Sequence, residues 1–186
     1  MKFSCDKAEI NTHIGMVAKA ISHKPTHPVL GCVLVEANKE EGLVTLLGFD
    51  LTLGIKTSFK TKVLKSGTIA IPSITFTKLI NTISEGILEF EVKEKDNLVM
   101  HIRSQTGNYQ MRGMDVEEYP ELPVITEGKN ITITSDVFAE LIKKTSFAAA
   151  TDETKMVLTG INFSLTRRKV ENEEQMLITA AATDGH

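Results

Sequence analysis

The feature that most constrains the fold is an internal repeat, in which two stretches of the chain carry the same order of strand, helix and strand patterns. When the chain is aligned with itself so that Lys2 falls on Ile131, Asp6 falls on Ser135, and both residue types favour a helix N-cap. The first copy extends to about residue 126, whereas the second ends at His186. A half-built copy cannot bury its apolar face, so we expect the sequence to be the front part of a longer polypeptide.

Within the first copy the hydrophobic pattern alternates between helical and strand periods. One helix is predicted from the spacing of Ile10, Ile14, Val17 and Ile21, and a second is predicted to begin near Pro72. Runs rich in β-branched and aliphatic residues predict the strands. In chain order these strands are 2–5, 29–36, 43–49, 52–62, 67–71, 87–93, 98–104 and 107–114.

The segment Tyr119-Pro120-Glu121-Leu122-Pro123 separates the two copies. Its prolines suit an extended linker rather than the interior of a helix or strand. We therefore predict a complete first domain over residues 1–126 and the truncated start of a second domain over residues 127–186. The fold class is predicted to be α+β, with repeated domains that each pack two helices on antiparallel β-sheet.

Composition excludes several classes of protein. Hydrophobic residues make up 41% of the chain and charged residues 24%, which is typical of globular proteins. No apolar run approaches the roughly 20 residues of a membrane span, and the N-terminus lacks a signal core, so we expect a cytoplasmic protein that contacts no membrane. Cys5 and Cys32 are too few and too far apart for a disulfide framework. The net charge of −3 argues against tight nucleic-acid binding driven by bulk positive charge.

Two groups of potentially reactive residues lack the support that their chemistry needs. His23 and His27 have a spacing seen among zinc ligands, with Cys32 close behind, but prolines make this segment a loop and no acidic ligand accompanies it. Asp184 and His186 could form an acid–base pair, yet the chain contains no nucleophile elbow, phosphate-binding glycine loop or His-Glu-x-x-His motif. We therefore predict no metal, no cofactor and no enzymatic activity.

Each predicted helix places a lysine opposite its apolar stripe, namely Lys19, Lys78 and Lys143. One interpretation is that these are ordinary lysines on solvated helix faces. The other is that the helices share a basic surface that contacts phosphates without sequence specificity, while the acidic residues lie elsewhere. The residues alone leave both interpretations open. Lys24 projects from a loop at the end of the first helix.

Six short motifs, in order along the whole chain, resemble the DNA polymerase III beta subunit family, the bacterial sliding clamps. They are Met1-Lys2-Phe3, Lys24-Pro25-Thr26 continuing to Pro28-Val29-Leu30-Gly31, Gly48-Phe49-Asp50-Leu51, Pro72 with Phe76, Tyr119-Pro120-Glu121-Leu122-Pro123, and Ala182-Thr183-Asp184-Gly185-His186. The resemblance implies the DNA-clamp fold. It also implies a processivity factor, in which two chains form a homodimer ring around double-stranded DNA and tether the replicative polymerase. This fragment alone should not close a ring. The alternative is a protein-interaction scaffold without topological DNA binding.

The resemblance also assigns roles to individual residues. The implied DNA-contacting residues are Lys24, Lys19, Lys78, Lys143 and Lys155. At Lys24 the family usually has arginine, so this contact should be weaker because lysine lacks the bidentate fork. Residues lining one side of a cleft for short peptide motifs of the polymerase and the clamp loader would be Leu158, Thr183, Gly185 and His186. The edge that meets the partner chain would contain Thr75, Tyr109 and Met111, and we expect it to be exposed in this chain.

Overall fold

The structure is a computed structural model that describes residues 1–22, 24–123, 127–128, 130–170 and 173–185. The chain divides into two compact units, Met1–Val124 and Ile125–His186. The described residues form three α-helices and antiparallel β-sheets, so the predicted α+β class is confirmed.

The first unit contains two helices, α1 (Lys7–Val17) and α2 (Ser73–Thr82). Its strands are β1 (Lys2–Asp6), β2 (Cys32–Asn38), β3 (Leu43–Phe49), β4 (Gly54–Lys60), β5 (Lys62–Lys65), β6 (Gly67–Pro72), β7 (Ile87–Lys93), β8 (Asp96–Arg103) and β9 (Asn108–Arg112). They form a five-stranded sheet in the order β5-β1-β7-β8-β9 and a four-stranded sheet in the order β4-β3-β2-β6. The bounds of β3 and β7 agree with those predicted from the sequence.

The core of the first unit is formed by the apolar stripes of both helices and the inner faces of both sheets. Ile10, Ile14 and Val17 on α1 are completely buried, which confirms the predicted stripe. Burial of each such side chain contributes about 1.5–3 kcal/mol. Phe90 of β7 stacks on Phe3 of β1 with ring centroids 4.7 Å apart, which holds the N-terminal strand inside the larger sheet, between β5 and β7.

The start of α1 is fixed by a side-chain cap. The Asp6 carboxylate accepts a hydrogen bond of 2.8 Å from the Ala8 N–H, as its predicted N-cap role requires. Pro72 lies at the N-cap position of α2, where a missing N–H costs nothing because the first turn of a helix has no intrahelical acceptor for it.

Three segments of the first unit differ from their predicted structures. The single strand predicted over 52–62 is divided between β4, which ends at Lys60, and β5, which begins at Lys62. The strand predicted over 29–36 begins only at Cys32, because Pro28 starts a 3₁₀ turn over Pro28–Gly31. The segment predicted as an extended linker is docked on the unit: Tyr119 is buried and Leu122 is half-buried. These two side chains join a second apolar cluster, on the opposite face of the four-stranded sheet from the main core.

The second unit contains α3 (Ser135–Thr145) and the hairpin of β10 (Asn162–Val170) and β11 (Glu173–Ala181). The helix begins one residue earlier than the repeat predicts, because Thr134 rather than Ser135 is its N-cap. Residues 131–134, the predicted counterpart of β1, form no strand. In the first unit, β1 pairs with β5 on one side and with β7 on the other.

Candidate nucleic-acid interface and peptide cleft

The lysines of the first unit lie where α1 ends. Lys19 is exposed, but on the 3₁₀ turn Ala18–Ala20 that continues α1 rather than on the helix itself. Lys24 is exposed in the loop that follows, and its backbone N–H donates to the Ser22 hydroxyl at 3.2 Å. Because this hydrogen bond uses the backbone N–H, it leaves the Lys24 ammonium available to an anion.

The exposed Lys78 on α2 lies near the same end of α1. The two helices pack side by side, and between them is a small cavity of about 230 Å³. It is lined by Ala18, Ile21, Ser22, Ser73, Ile74, Thr77 and Lys78. The elements that carry Lys19, Lys24 and Lys78 therefore meet at one end of the helix pair, which gives this end a local positive charge.

The lysines of the second unit have different surroundings. Lys143 is exposed near the end of α3. Lys155 is exposed in the 3₁₀ segment Glu153–Thr159, at a residue where the helical backbone is interrupted (φ −101°, ψ 47°). Its Nζ donates a hydrogen bond of 3.2 Å to the Asp184 carbonyl oxygen, which links this segment to the chain that follows β11. An ammonium has three donors, so this bond leaves two for other acceptors.

The charge that surrounds the proposed lysines differs between the helices. Within the described residues none of the five proposed lysines forms an ion pair, whereas Lys144 beside Lys143 pairs with Glu140 at 2.7 Å. Two of the three described helices also carry exposed acidic residues, which the interpretation as a shared basic surface places elsewhere. Glu9 is exposed on α1, and Asp136 and Glu140 are exposed on α3. Among the helices of the described residues, α2 alone carries a lysine without an acidic residue.

An open cleft lies at the end of the hairpin of the second unit. It has a volume of about 540 Å³. It is lined by Val157, Leu158, Gly160, Ile161, Asn162, Ala181, Ala182 and Thr183. Gly185 adopts a positive φ of 88°, and its N–H donates to the Thr183 hydroxyl at 3.1 Å. A Cβ atom on Gly185 would lie 3.4 Å from Leu158 Cδ1, so the structure brings together three of the four predicted cleft residues. His186, the fourth, lies outside the described residues.

Several cleft residues were missed by the sequence analysis. Asn162 and Ala181 face each other across the β10–β11 pair and form the floor of the cleft. Val157 is 92% exposed at its rim. The two-residue period of a strand could have identified Asn162 and Ala181 as sharing a face, but only the pairing register brings them opposite each other.

The predicted partner edge is only partly exposed. β9 is the last strand of the five-stranded sheet, so its outer edge has no strand partner within the described residues. Thr75 is exposed on α2 and Tyr109 is half-buried on β9. The expectation of an exposed Met111 is wrong, because its side chain points inward and only 6% of the residue is accessible. Side chains on a strand alternate between faces, so Tyr109 and Met111 both face the core.

The cysteines have surroundings that disfavour reactive chemistry. Burial raises the pKa of Cys5 to about 12 and that of Cys32 to about 11, which keeps both thiols protonated near neutral pH. Cys32 Sγ lies 3.6 Å from Met114 Sδ in the second apolar cluster. The described residues contain no group of three His, Cys, Asp or Glu side chains arranged to hold a metal, and His23 lies outside them. No helix among these residues has the length and apolarity to cross a membrane.

Comparisons with known proteins match both units to one family. The family model described as DNA polymerase III beta subunit, N-terminal domain, matches residues 1–123, and the model of the central domain of the same subunit matches residues 132–186. The beta sliding clamp of Synechocystis sp. is 34% identical over 190 residues, covering 100% of this chain and 46% of that protein. The beta sliding clamp of Bacillus subtilis is 31% identical over 195 residues, covering 100% of this chain and 48% of that protein.

Solved structures agree with the sequence matches. A sliding clamp from Bartonella birtlesii, in a crystal structure bound to griselimycin, superposes with a TM-score of 0.88 at 26% identity and covers 100% of this chain and 48% of that one. The DNA polymerase sliding clamp from Bacillus subtilis superposes with a TM-score of 0.81 at 27% identity, covering 99% of this chain and 50% of that one. The chain thus spans about half the length of the relatives that it matches.

Proposed function

Because this chain belongs to the DNA polymerase III beta subunit family, we propose that the whole protein is a sliding clamp, a ring that encircles duplex DNA and tethers the replicative polymerase during replication. The observation that carries the proposal is the match of two successive structural units to two successive domains of one clamp subunit. In this proposal residues 1–126 are the first domain and 127–186 begin the second. The protein acts in the cytoplasm as a processivity factor and catalyses no reaction.

The proposed DNA contacts are Lys24, Lys19, Lys78, Lys143 and Lys155. The proposal is supported because these lysines are exposed and form no ion pair with a carboxylate among the described residues. Phosphate contacts of this kind carry no sequence information and weaken with salt. Glu140, which lies on α3 with Lys143, reduces the local positive charge there. A weakly basic surface suits a ring that holds DNA by topology, because strong phosphate binding would oppose sliding.

The proposed partner site is the open cleft with Leu158, Thr183, Gly185 and His186. Its support is a concave surface of about 540 Å³ lined mainly by aliphatic side chains and backbone. An extended peptide can place apolar side chains in such a cleft and pair its backbone with polar groups at the rim. We assign to it short peptide motifs of the replicative polymerase and the clamp loader.

Ring closure is assigned to the free edge of β9 in a head-to-tail homodimer. An edge strand presents unpaired N–H and C=O groups that can add a strand from another chain. Tyr109 lies on this strand and Thr75 lies on α2, and both are accessible to a partner. Met111 supports the edge from inside, where it fills the core behind β9.

The test is retention on circular against linear DNA. The complete reading frame is loaded by the clamp loader onto nicked circular duplex, and the complexes are isolated by gel filtration. A restriction enzyme then linearises half of the sample. We expect retention on circles and loss from linear DNA, because a ring leaves only over a free end.

The alternative function, a protein-interaction scaffold without a topological link, makes a different prediction. Equal retention on both DNA forms would indicate ordinary binding, and absence from both together with peptide binding would indicate a scaffold. Capping the linear ends with a bound protein serves as the control. A ring is then retained on linear DNA as well, whereas an ordinary binder is unaffected by the caps.

A further inference from the structure

The first unit contains a counterpart of the open cleft, and this counterpart is filled. In the second unit the cleft is formed by a 3₁₀ segment, the start of β10 and the end of β11. In the first unit the corresponding elements are the 3₁₀ turn Pro28–Gly31, the start of β2 and the end of β3. Both hairpins are antiparallel and directly follow their 3₁₀ segment, so the repeat relates the two positions.

The strand faces support the same correspondence. On β10, Phe163 stacks against Phe138 of α3 with ring centroids 5.5 Å apart, so its neighbour Asn162 faces away from the helix and into the cleft. On β2, Val33 belongs to the core that packs against the helices, so its neighbour Cys32 faces the second apolar cluster. Cys32 therefore occupies on β2 the place that Asn162 occupies on β10: each is the first residue of its strand, and each faces away from the helices.

The filling group is the chain's own segment 119–123. The Tyr119 side chain is buried, and its hydroxyl lies 3.4 Å from the Cys32 carbonyl oxygen and 3.3 Å from that of Leu47, so it donates to either of them. The Leu122 side chain lies directly on Gly54: a Cβ atom there would be 2.1 Å from Leu122 Cδ1. Two anchors three residues apart thus hold an extended, proline-containing stretch in an apolar groove.

This arrangement has the properties of a bound short peptide. The anchoring residues are an aromatic side chain with a polar tip and a leucine. Pro120 and Pro123 restrict the backbone to extended conformations, which lowers the entropy lost on docking. The groove is formed by Val29, Leu30, Cys32, Leu47, Phe49 and Ala70. It is complete within the first unit and includes no residue of the open cleft.

We propose that this groove is a second peptide-binding site, held closed by the Tyr119–Pro123 segment acting as an intramolecular ligand. Its external ligands are extended peptides with an aromatic residue and a leucine three positions later, of the form Tyr-Pro-x-Leu-Pro. The tethered segment competes at an effective concentration in the millimolar range, so the site opens to a peptide only when the segment is displaced or altered. The site requires neither DNA nor ring closure.

The test compares peptide binding to closed and opened forms of the chain. The probe is a fluorescein-labelled peptide with the sequence of residues 115–123, followed by anisotropy. The opened form is the double variant Tyr119→Ala/Leu122→Ala. Loss of the tethered competitor is expected to strengthen peptide binding at least about tenfold over the unaltered chain. A folded double variant that binds no better than the unaltered chain would overturn the proposal.

Two further variants locate the bound peptide. Gly54→Ala in the opened form puts a methyl group where the leucine of the bound peptide must lie. The methyl group cannot clash with Leu122, because the opened form has alanine at that position. This variant is expected to abolish the gain in binding. Leu158→Ala alters only the open cleft and is expected to leave the gain unchanged. The opposite pattern would assign the peptide to the open cleft and refute the second site.

Hydrogen exchange on the unaltered chain provides a test that does not depend on the double variant folding. The Tyr119 N–H donates to the Val116 carbonyl oxygen at 3.0 Å when the segment is docked. Millimolar unlabelled peptide is expected to accelerate exchange of this amide by displacing the segment. A peptide in which alanine replaces the tyrosine and leucine is the control. Equal exchange rates with both peptides would refute displacement. DNA retention is not involved, so failure of this proposal and failure of the clamp function are distinguishable.

Discussion

A methyl group added at Gly48 would meet the end of α1, which carries the Lys19 turn and the Lys24 loop. Gly48 is buried on β3, where the helix end crosses the strand. A Cβ atom at this position would lie 2.3 Å from the Val17 carbonyl oxygen and 2.9 Å from Ile21 Cγ1. The nearest obstacle is backbone, so Gly48→Ala cannot be accommodated by a side-chain rotation and must displace the helix end.

The expected cost follows from overpacking. Inserting a methyl group into a closely packed interior costs about 1–3 kcal/mol when neighbours must shift. For a chain of this length each kcal/mol changes the melting temperature by about 2–4 °C, so Gly48→Ala should lower it by about 2–12 °C.

Gly15→Ala is the matched control, because it makes the same chemical change on the exposed face of α1. A Cβ atom at Gly15 would have nothing within 4 Å. Alanine in a helix interior is about 0.5–1 kcal/mol more favourable than glycine, so this variant should be more stable than the unaltered chain. Thermal unfolding followed by circular dichroism gives both shifts. If both variants changed the melting temperature in the same direction and by a similar amount, the close approach of α1 to β3 would not be the reason that glycine is needed at position 48.

The remaining predictions concern the docked tyrosine, the DNA contacts and the cleft. Burial raises the pKa of Tyr119 from its ordinary value of 10.0 to about 12, so its contribution to stability is complete below pH 10 and is lost as the pH rises toward 12. Tyr119→Phe should remove that part of the alkaline destabilisation in urea titrations at pH 8–12, and an unchanged pH profile would contradict the cause given. Lys24→Ala should reduce loading of the complete protein on DNA and leave its melting temperature within about 1 °C. Lys144→Ala is the control and should load normally, because Lys144 already pairs with Glu140. Equal loading by both variants would remove Lys24 from the proposed DNA contacts. Leu158→Ala should weaken the binding of polymerase-derived peptides about tenfold, measured by calorimetry, without changing DNA retention. An unchanged peptide affinity would show that the peptide binds outside the open cleft.

Local pattern predicted much of the fold of the first unit. The helical spacing of Ile10, Ile14 and Val17 defines α1 because residues on one face of a helix must share the core, and this spacing is visible without any tertiary knowledge. Asp6 was identifiable as an N-cap for the same reason, since its hydrogen bond is made two residues away. Three of the predicted cleft residues are adjacent in the structure, but their assignment came from family motifs and not from any physical pattern in the chain.

Local pattern alone predicts the positions of the helices and the alternation of the strands, because each depends on residues a few positions apart. The repeat is visible because this local pattern recurs later in the chain. Tertiary structure alone decided three other features: the docking of Tyr119 on β2 and β3, the burial of Met111 behind β9, and the pairing of β1 with strands near residues 63 and 90. Each joins segments that are distant in the chain, and the same local pattern is compatible with several partners. The choice among them is made by which arrangement buries the most apolar surface and satisfies the backbone hydrogen bonds at once.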